Sequence, residues 1–263
     1  MKVHVYSLNG EAVEEIELPN QFGEDVRPDI IARAVIAEQT RKYQPKGAFK
    51  LAGLQTTAEY RGRKEAYGSI KNRGISRLPR EKLPKGRFGK VRIIPFSVKG
   101  RRAHPPKPDK ILVEKINEKE HKKALRSAIA ATSKREFVEA RGHILNGVKE
   151  LPLIIENKFE ELKKTREVFN CLRALGLSSE LQRAEKRDKR SGVRERRKGG
   201  YRTPRTVLIV VSADKSIIKA ANNLPGVDVR TVRDLDASSL APGTKAGRLT
   251  VWSKGAIEEL ARM

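Results

Sequence analysis

The sequence predicts an α/β fold, in which a parallel sheet lies between layers of helix, with an N-terminal β-hairpin and a long extended loop inserted in the globular part. Three observations predict it. Short β-branched runs alternate with helical patterns over the C-terminal half, and strands separated by helices pair in parallel through right-handed crossovers. Two strand-like runs meet at Asn9-Gly10 near the start of the chain. Between these regions, Gly47 to Lys110 sustains neither the helical nor the strand period.

Lys2–Leu8 and Ala12–Leu18 read as strands joined by a two-residue turn, since Asn9 and Gly10 both accept φ > 0. His4 falls on the first strand and is expected to pack there. Pro28 opens a helix where its missing N–H costs nothing, and Ile30, Ile31, Ala34, Val35 and Glu38 carry the amphipathic spacing onward. A second helix is predicted over Glu118 to Thr132, with Ala124, Leu125, Ala128 and Ile129 on one face; its basic flank, Lys119, Lys122, Lys123 and Arg126, reads equally as a solvated face or as an RNA contact beside the insertion.

Leu153–Ile155 reads as a short buried strand, followed by a helix from Lys158 to Leu175 that stops at Gly176. Cys171 would face the core of that helix, while Glu14-Glu15 and Glu160-Glu161 read as exposed faces. Ser179 is placed as the N-cap of a helix running from Leu181 to Arg190. Val207 to Val211 has the unbroken apolar character of a strand buried on both faces. A helix near Lys215–Asn222, strands at Val227–Val232 and Leu249–Trp252, and a helix at Ala256–Ala261 complete the set. Residues 1–44 and 111–263 would form a three-layer, Rossmann-like globule, with 45–110 inserted in it.

The charge is concentrated in that insertion and one other place. The 263-residue chain has 57 Lys+Arg against 32 Asp+Glu, a formal charge of +25. Residues 41–110 hold 21 basic and 4 acidic side chains; residues 181–205 hold 11 and 3. Their excesses, +17 and +8, account for the whole formal charge, so the remaining 168 residues are neutral. A cationic footprint confined to two stretches of a neutral body points to a polyanionic partner. A membrane surface fits less well, because neither stretch has the apolar face that an interfacial helix needs. The N-terminus lacks the basic-then-apolar layout of a secretion signal, and a soluble intracellular protein is expected.

Catalytic signatures are missing. Ser212-Ala213-Asp214, Arg233-Asp234 and Ser253-Lys254-Gly255 follow the predicted parallel strands, where such sheets bind ligands, and none forms a glycine-rich cradle. Gly86-Arg87-Phe88-Gly89-Lys90-Val91 has neither phosphate-loop spacing nor a hydroxyl after its lysine. His4, His104, His121 and His143 are never within ligand spacing of one another, and the single cysteine excludes a disulfide framework. Asp214 and Asp228 could each supply an acid but have no partner in sight.

The basic stretches favour RNA over duplex DNA. Neither contains a helix-turn-helix, zinc finger or heptad-phased basic helix. The first interleaves cations with glycine, proline and aromatic residues, so that backbone and guanidinium can approach phosphates while rings stack on splayed bases; the second is a helix followed by a charge run, whose density beside a neutral body favours contact. In the first, the candidate contacts are Tyr60, Arg61, Arg63, Lys64, Tyr67, Lys71, Arg73, Arg77, Arg80, Lys82, Lys85, Arg87, Phe88, Lys90, Arg92, Arg101, Arg102 and His104. In the second they are Arg187, Arg190, Arg194, Arg196, Arg197, Lys198, Arg202 and Arg205. These features alone leave open a structural RNA-binding protein, an RNA-modifying or nucleotide-dependent enzyme, and a free regulatory RNA- or DNA-binding protein.

Longer strings narrow the choice. Asn72-Arg73-Gly74-Ile75-Ser76-Arg77-Leu78-Pro79-Arg80, Gly100-Arg101-Arg102-Ala103-His104-Pro105-Pro106-Lys107 and Leu125-Arg126-Ser127-Ala128-Ile129-Ala130-Ala131-Thr132 occur in order. Asn223-Leu224-Pro225-Gly226-Val227-Asp228-Val229, Leu240-Ala241-Pro242-Gly243 and Gly247-Arg248-Leu249-Thr250-Val251-Trp252 follow. In these strings the chain resembles, over essentially its full length, the archaeal form of large-subunit ribosomal protein four, the universal L-four family. Between Arg80 and Gly100 it departs from the glycine-richer segment that many relatives carry.

The resemblance implies a cytoplasmic, non-enzymatic component of the large ribosomal subunit that binds rRNA directly and acts early in assembly. Its α/β domain would lie on the solvent side, and its long loop would enter the rRNA and help line the nascent-polypeptide tunnel. By motif, Asn72, Arg73, Gly74, Ile75, Ser76 and Arg77 would form the tunnel-proximal tip. The implied partners are large-subunit rRNA, neighbouring subunit proteins and the passing nascent polypeptide, with no cofactor, no metal, no membrane and no homo-oligomer.

Overall fold

The computed structural model describes residues 1–65, 67–197, 199–213 and 216–262. Two units emerge: Met1–Lys42 with Val113–Met263, and the intervening Tyr43–Leu112.

The first unit begins with β1 (Lys2–Tyr6) and β2 (Ala12–Glu17), antiparallel with Val3 opposite Ile16. Their connection is three residues long rather than two. Gly10 N–H donates to Ser7 O, Ser7 N–H donates to Glu11 O, and Gly10 alone takes a left-handed φ of +83°. This is the turn-plus-bulge hairpin, in which only the final loop residue must be left-handed. A Cβ on Gly10 would also stand 2.5 Å from Ala174 O.

Helix α1 (Pro28–Thr40) follows, then β3 (Arg80–Lys82) and β4 (Phe88–Val91) of the second unit. The first unit resumes with α2 (Glu118–Ser133), α3 (Arg135–Ala140), β5 (Leu153–Ile155), α4 (Thr165–Ala174) and α5 (Ser178–Glu185). A small hairpin, β6 (Asp188–Lys189) and β7 (Tyr201–Arg202), encloses the one-turn α6 (Val193–Arg197). Then come β8 (Leu208–Val211), α7 (Ile217–Ala221), β9 (Asp228–Thr231), α8 (Ala237–Leu240), β10 (Thr250–Ser253) and α9 (Lys254–Ala261).

Six strands form the main sheet in the order β2-β1-β5-β10-β8-β9, all pairs parallel except β1–β2. Successive side chains of a strand point to opposite faces. Accordingly Leu208 and Val210 join Val3, Val5, Ile154 and Trp252 against α1, α2, α8 and α9. Ile209 and Val211 join Leu153, Ile155 and Val251 against α4, α5 and α7. All four β8 side chains are buried, as an apolar run between two helical layers requires. Trp252 anchors the first layer, with its ring edge-on to Phe22 at 5.3 Å and its Nε1–H donated to Thr250 Oγ1. The predicted α/β class, parallel sheet and N-terminal hairpin are all present.

The predicted helix Lys158–Leu175 is broken. A 3-10 turn at Asn157–Glu161 precedes α4. Phe159 and Val168 are both fully buried in one core; nine residues of continuous helix would place them about 180° apart. The predicted helix Leu181–Arg190 is also shorter, and Ser179 is not its N-cap. The helix starts at Ser178 and stops at Glu185, because the chain then turns into β6, paired with β7 through Asp188–Arg202 and Lys189–Tyr201. Helices α3 and α8, with six and four residues, are too short to register as a period. Lys215, at the start of a predicted helix, lies outside the described residues.

Candidate nucleic-acid interface

The carboxyl ends of parallel strands are where an α/β sheet would hold a small ligand. Here that position holds Glu160, which is fully buried rather than exposed as its sequence neighbourhood suggests. Its Oε1 accepts from Ser212 N–H at 2.9 Å, Ser212 Oγ at 2.9 Å and Ser253 Oγ at 2.5 Å, bridging the ends of β8 and β10. Ser253 in turn caps α9 by accepting from Ala256 N–H, and Gly255 N–H donates to Asn157 Oδ1. Strand ends and helix N-terminus are thus occupied by the chain's own side chains.

The other candidate chemical groups are likewise structural. Cys171 is buried, and burial pushes its thiol up to about 12, the opposite of what activates a nucleophile. His4 is not a packing residue: it is half-exposed and lies between Glu150 (Nδ1–Oε2 3.0 Å) and Glu15 (Nε2–Oε1 3.2 Å), a partnership permitted by its place beside the sheet edge. Asp228 is shared by Arg205 and Arg248. Among the described residues, no three His, Cys, Asp or Glu side chains are grouped to hold a metal. Asp214 lies outside the described residues.

The second unit carries most of the predicted contacts on a hydrogen-bonded scaffold. β3 and β4 pair antiparallel, Arg80 opposite Val91, and Glu59 adds a bridge to Arg80 through reciprocal N–H···O bonds. These strands of three and four residues are too short for alternation to show in the sequence. Ile70 and Ala58 are buried within this unit.

Several predicted cations are engaged within this scaffold. Glu59 receives Lys82 at 2.5 Å and Arg61 at 3.2 Å, and hydrogen bonds from Lys82 and then Arg61 hold its carboxyl below the usual range. Arg92 pairs with Glu81 at 2.6 Å and donates to Val98 O. Arg80 donates to Ser76 Oγ at 2.7 Å, tying the 72–77 turn to β3. Arg73 stacks over the half-buried Phe88 ring at 5.4 Å. By contrast Arg63, Lys64, Tyr67, Arg77, Lys85, Arg87, Lys90, Arg101, Arg102 and His104 are exposed, Tyr67 at 95%, while Tyr60 is 56% exposed and Lys71 half-buried. Residues 72–77 are all exposed, with left-handed backbone at Asn72 and Gly74.

In the second segment Arg187, Arg194, Arg196, Arg197, Arg202 and Arg205 are exposed and Arg190 is half-buried. Glycines 192, 199 and 200, all left-handed, shape the hairpin around α6, and Arg190 N–H donates to Gly200 O. Lys198 lies outside the described residues.

Residues 16–263 match the model of the ribosomal protein L4/L1 family. The chain belongs to that family. It is 48% identical over 261 residues to "Large ribosomal subunit protein uL4" of Methanocaldococcus jannaschii, covering 99% of this chain and 98% of that one. The protein of the same name from Archaeoglobus fulgidus is 46% identical with the same coverage. The one from Methanosphaera stadtmanae is 45% identical over 98% of this chain and 96% of its own. The family is one of ribosomal structural proteins, not enzymes, which fits a sheet whose ligand position is filled from within.

What sequence reading missed in this family member is the buried charge beneath the second segment. Arg248 is 1% exposed, donating Nε–H to Thr206 O at 2.9 Å, Nη1–H to Ser239 O at 2.9 Å and Nη2–H to Asp228 at 2.6 Å. Glu180, fully buried, accepts from His143 Nδ1–H at 2.6 Å and Arg183 at 2.5 Å. Burial works to raise its carboxyl, and those two donors overcome it and hold it low. One signal for Arg248 was present: an arginine set between Gly247 and the predicted strand Leu249–Trp252.

Proposed function

We propose that this chain is a structural constituent of the large ribosomal subunit, in the cytoplasm, that binds rRNA directly and supports early subunit assembly. Residues 45–110 form the rRNA-penetrating loop inserted in the globular domain, and 181–205 form a second contact. The loop's tip, Asn72 to Arg77, helps line the nascent-polypeptide tunnel, with neighbouring subunit proteins around it.

The observation that carries the reading is the confinement of the entire +25 excess to these two segments, in a chain whose relatives are named as large-subunit proteins. The exposed cations of both segments would contact phosphates, and Tyr60 and Tyr67 would stack on bases. Arg61, Arg80, Lys82 and Arg92 would reach rRNA by bridging from the scaffold, and Arg73 with Phe88 as a stacked pair.

The test is co-sedimentation with large subunits through a moderate salt wash, together with rRNA binding by a chain lacking residues 50–105. Stoichiometric co-sedimentation, and loss of most affinity on deletion, are expected. An intact, salt-sensitive binding curve after the deletion would refute the assignment.

A further inference from the structure

The first unit contains a cleft of about 680 Å³ whose wall includes Arg141, Arg183, Arg190, Arg202, Arg205 and Lys245. Among the described residues, two of these six cations have acidic partners: Arg183 with Glu180 and Arg205 with Asp228. Among the described residues, no carboxylate lies within ion-pair distance of Arg141, Arg190, Arg202 or Lys245. Arg141 is fixed instead by backbone carbonyls, donating to Pro242 O at 2.7 Å and to Lys245 O. Burial, with Arg248 and Arg183 close by, pushes its guanidinium down to about 10. Positive charge is therefore crowded here beyond what the chain neutralises, and an anion would relieve it.

The wall also holds His143, a buried side chain whose Nδ1–H serves Glu180 and whose Nε2, an acceptor in that neutral form, has no partner among the described residues and could take a base N–H or ribose hydroxyl. At the rim stands Tyr201, 55% exposed, on the strand that carries Arg202. The cations come from four separate parts of the chain: the end of α3, helix α5, the β6–β7 hairpin with its exit, and the loop before β10. A single small anion would use one or two of them, whereas successive phosphates along a strand would use them all.

We propose that this cleft seats consecutive backbone phosphates of a single-stranded stretch of RNA, with Tyr201 as the platform for a base. The inference rests on the rRNA-binding reading above and adds Arg141 and Lys245, which lie outside both basic segments, to the contact surface. Stacking of a base on an exposed tyrosine beside a cationic groove is the general mode of single-strand recognition.

Arg202 and Lys245 are exposed, and among the described residues no side-chain partner ties either to the fold, so the R202Q/K245Q double variant tests the cleft without disturbing it. Binding of the full chain to a labelled uridine dodecamer is measured by anisotropy across a salt series. The comparison is K163Q/K219Q, which removes the same charge at two exposed lysines outside both basic segments. The cleft variant is expected to lose about tenfold in affinity, with a salt slope shallower by roughly 0.7 per lost phosphate contact. The control should change less than twofold, and Tyr201→Ala should also weaken binding. Equal losses in the cleft and control variants would overturn the cleft while leaving rRNA binding standing. Displacement of the RNA by low-millimolar inorganic phosphate at matched ionic strength would also overturn it, assigning the cleft to a free anion. A wild-type chain that binds no RNA would remove the cleft and the rRNA-binding reading together.

Discussion

Glu160 and Ser253 are joined by a 2.5 Å hydrogen bond at the carboxyl ends of the sheet strands. The same carboxylate takes both the N–H and the hydroxyl of Ser212, so one acidic side chain ties β8, β10 and the turn before α4 together. The contact replaces a ligand by an internal crosslink at the position that α/β enzymes keep open.

Removing that crosslink should destabilise the protein without touching the two basic segments proposed to contact RNA. Glu160→Ala leaves the Ser212 and Ser253 groups unsatisfied in a buried place, a loss of about 3 kcal/mol for several such groups. Urea unfolding should show the midpoint falling at constant slope, and Glu160→Gln should fall less because its amide oxygen still accepts. A nucleotide-induced thermal shift in Glu160→Ala, where wild type shows none, would reveal an opened ligand site.

Arg248 should be as sensitive. Its guanidinium spans two carbonyls and Asp228 from a fully buried position, a geometry that one ammonium cannot reproduce. Both Arg248→Lys and Arg248→Ala are expected to destabilise, the latter by roughly 3 kcal/mol, since removing one member of a buried pair strands the other. Denaturation midpoints decide it. A shift below about 0.5 kcal/mol, the ordinary range of surface substitutions, would mean that water or neighbouring groups replace the arginine.

His143 gives the fold a pH dependence of known sign. Burial lowers its pKa from 6.5, against the pull of Glu180, so the folded state holds it neutral. Below pH 6.5 the unfolded chain takes up a proton that the folded chain refuses, and stability declines as pH falls toward the folded-state value. His4 acts the other way, since its hydrogen bond with Glu150 raises its pKa and favours the folded state at low pH. Comparing wild type with His143→Gln cancels the His4 contribution. The wild type should lose more stability between pH 7.5 and 5.5 than the variant does, and the reverse order would contradict a neutral His143.

The sheet was legible because its residues obey one rule each. Val207 to Val211 is apolar throughout because both faces are covered, and α1 shows its spacing because only one of its faces is buried. Charge was legible as a total and misleading by position. Glu160 stands beside Glu161 in a sequence that looks solvated, yet a 3-10 turn sends Glu160 inward and leaves Glu161 out. Arg141 and Lys245 lie 104 residues apart, so no local pattern could pair them; only the folded sheet sets them at one cleft. In the second unit, sequence put the cations on one segment but could not tell Arg92, committed to Glu81, from Arg63, exposed.

That distinction makes Glu59 a sharp test. As one of four acids among the 21 cations of residues 41–110, it engages both Lys82 and Arg61 from a half-exposed position. Exposed ion pairs of this kind add little to stability, and the strand bridge to Arg80 is made by the Glu59 backbone, which substitution leaves in place. Glu59→Gln should therefore leave the unit folded while releasing two cations to phosphates. On the proposed rRNA-binding role, affinity at low salt should rise by several-fold, and the salt dependence should steepen by roughly 0.7 to 0.9 per additional phosphate contact. If affinity instead falls and the slope flattens, Glu59 works as a clamp that presents Arg61 and Lys82 in a binding-ready geometry, and the electrostatic excess alone does not set the affinity of this segment.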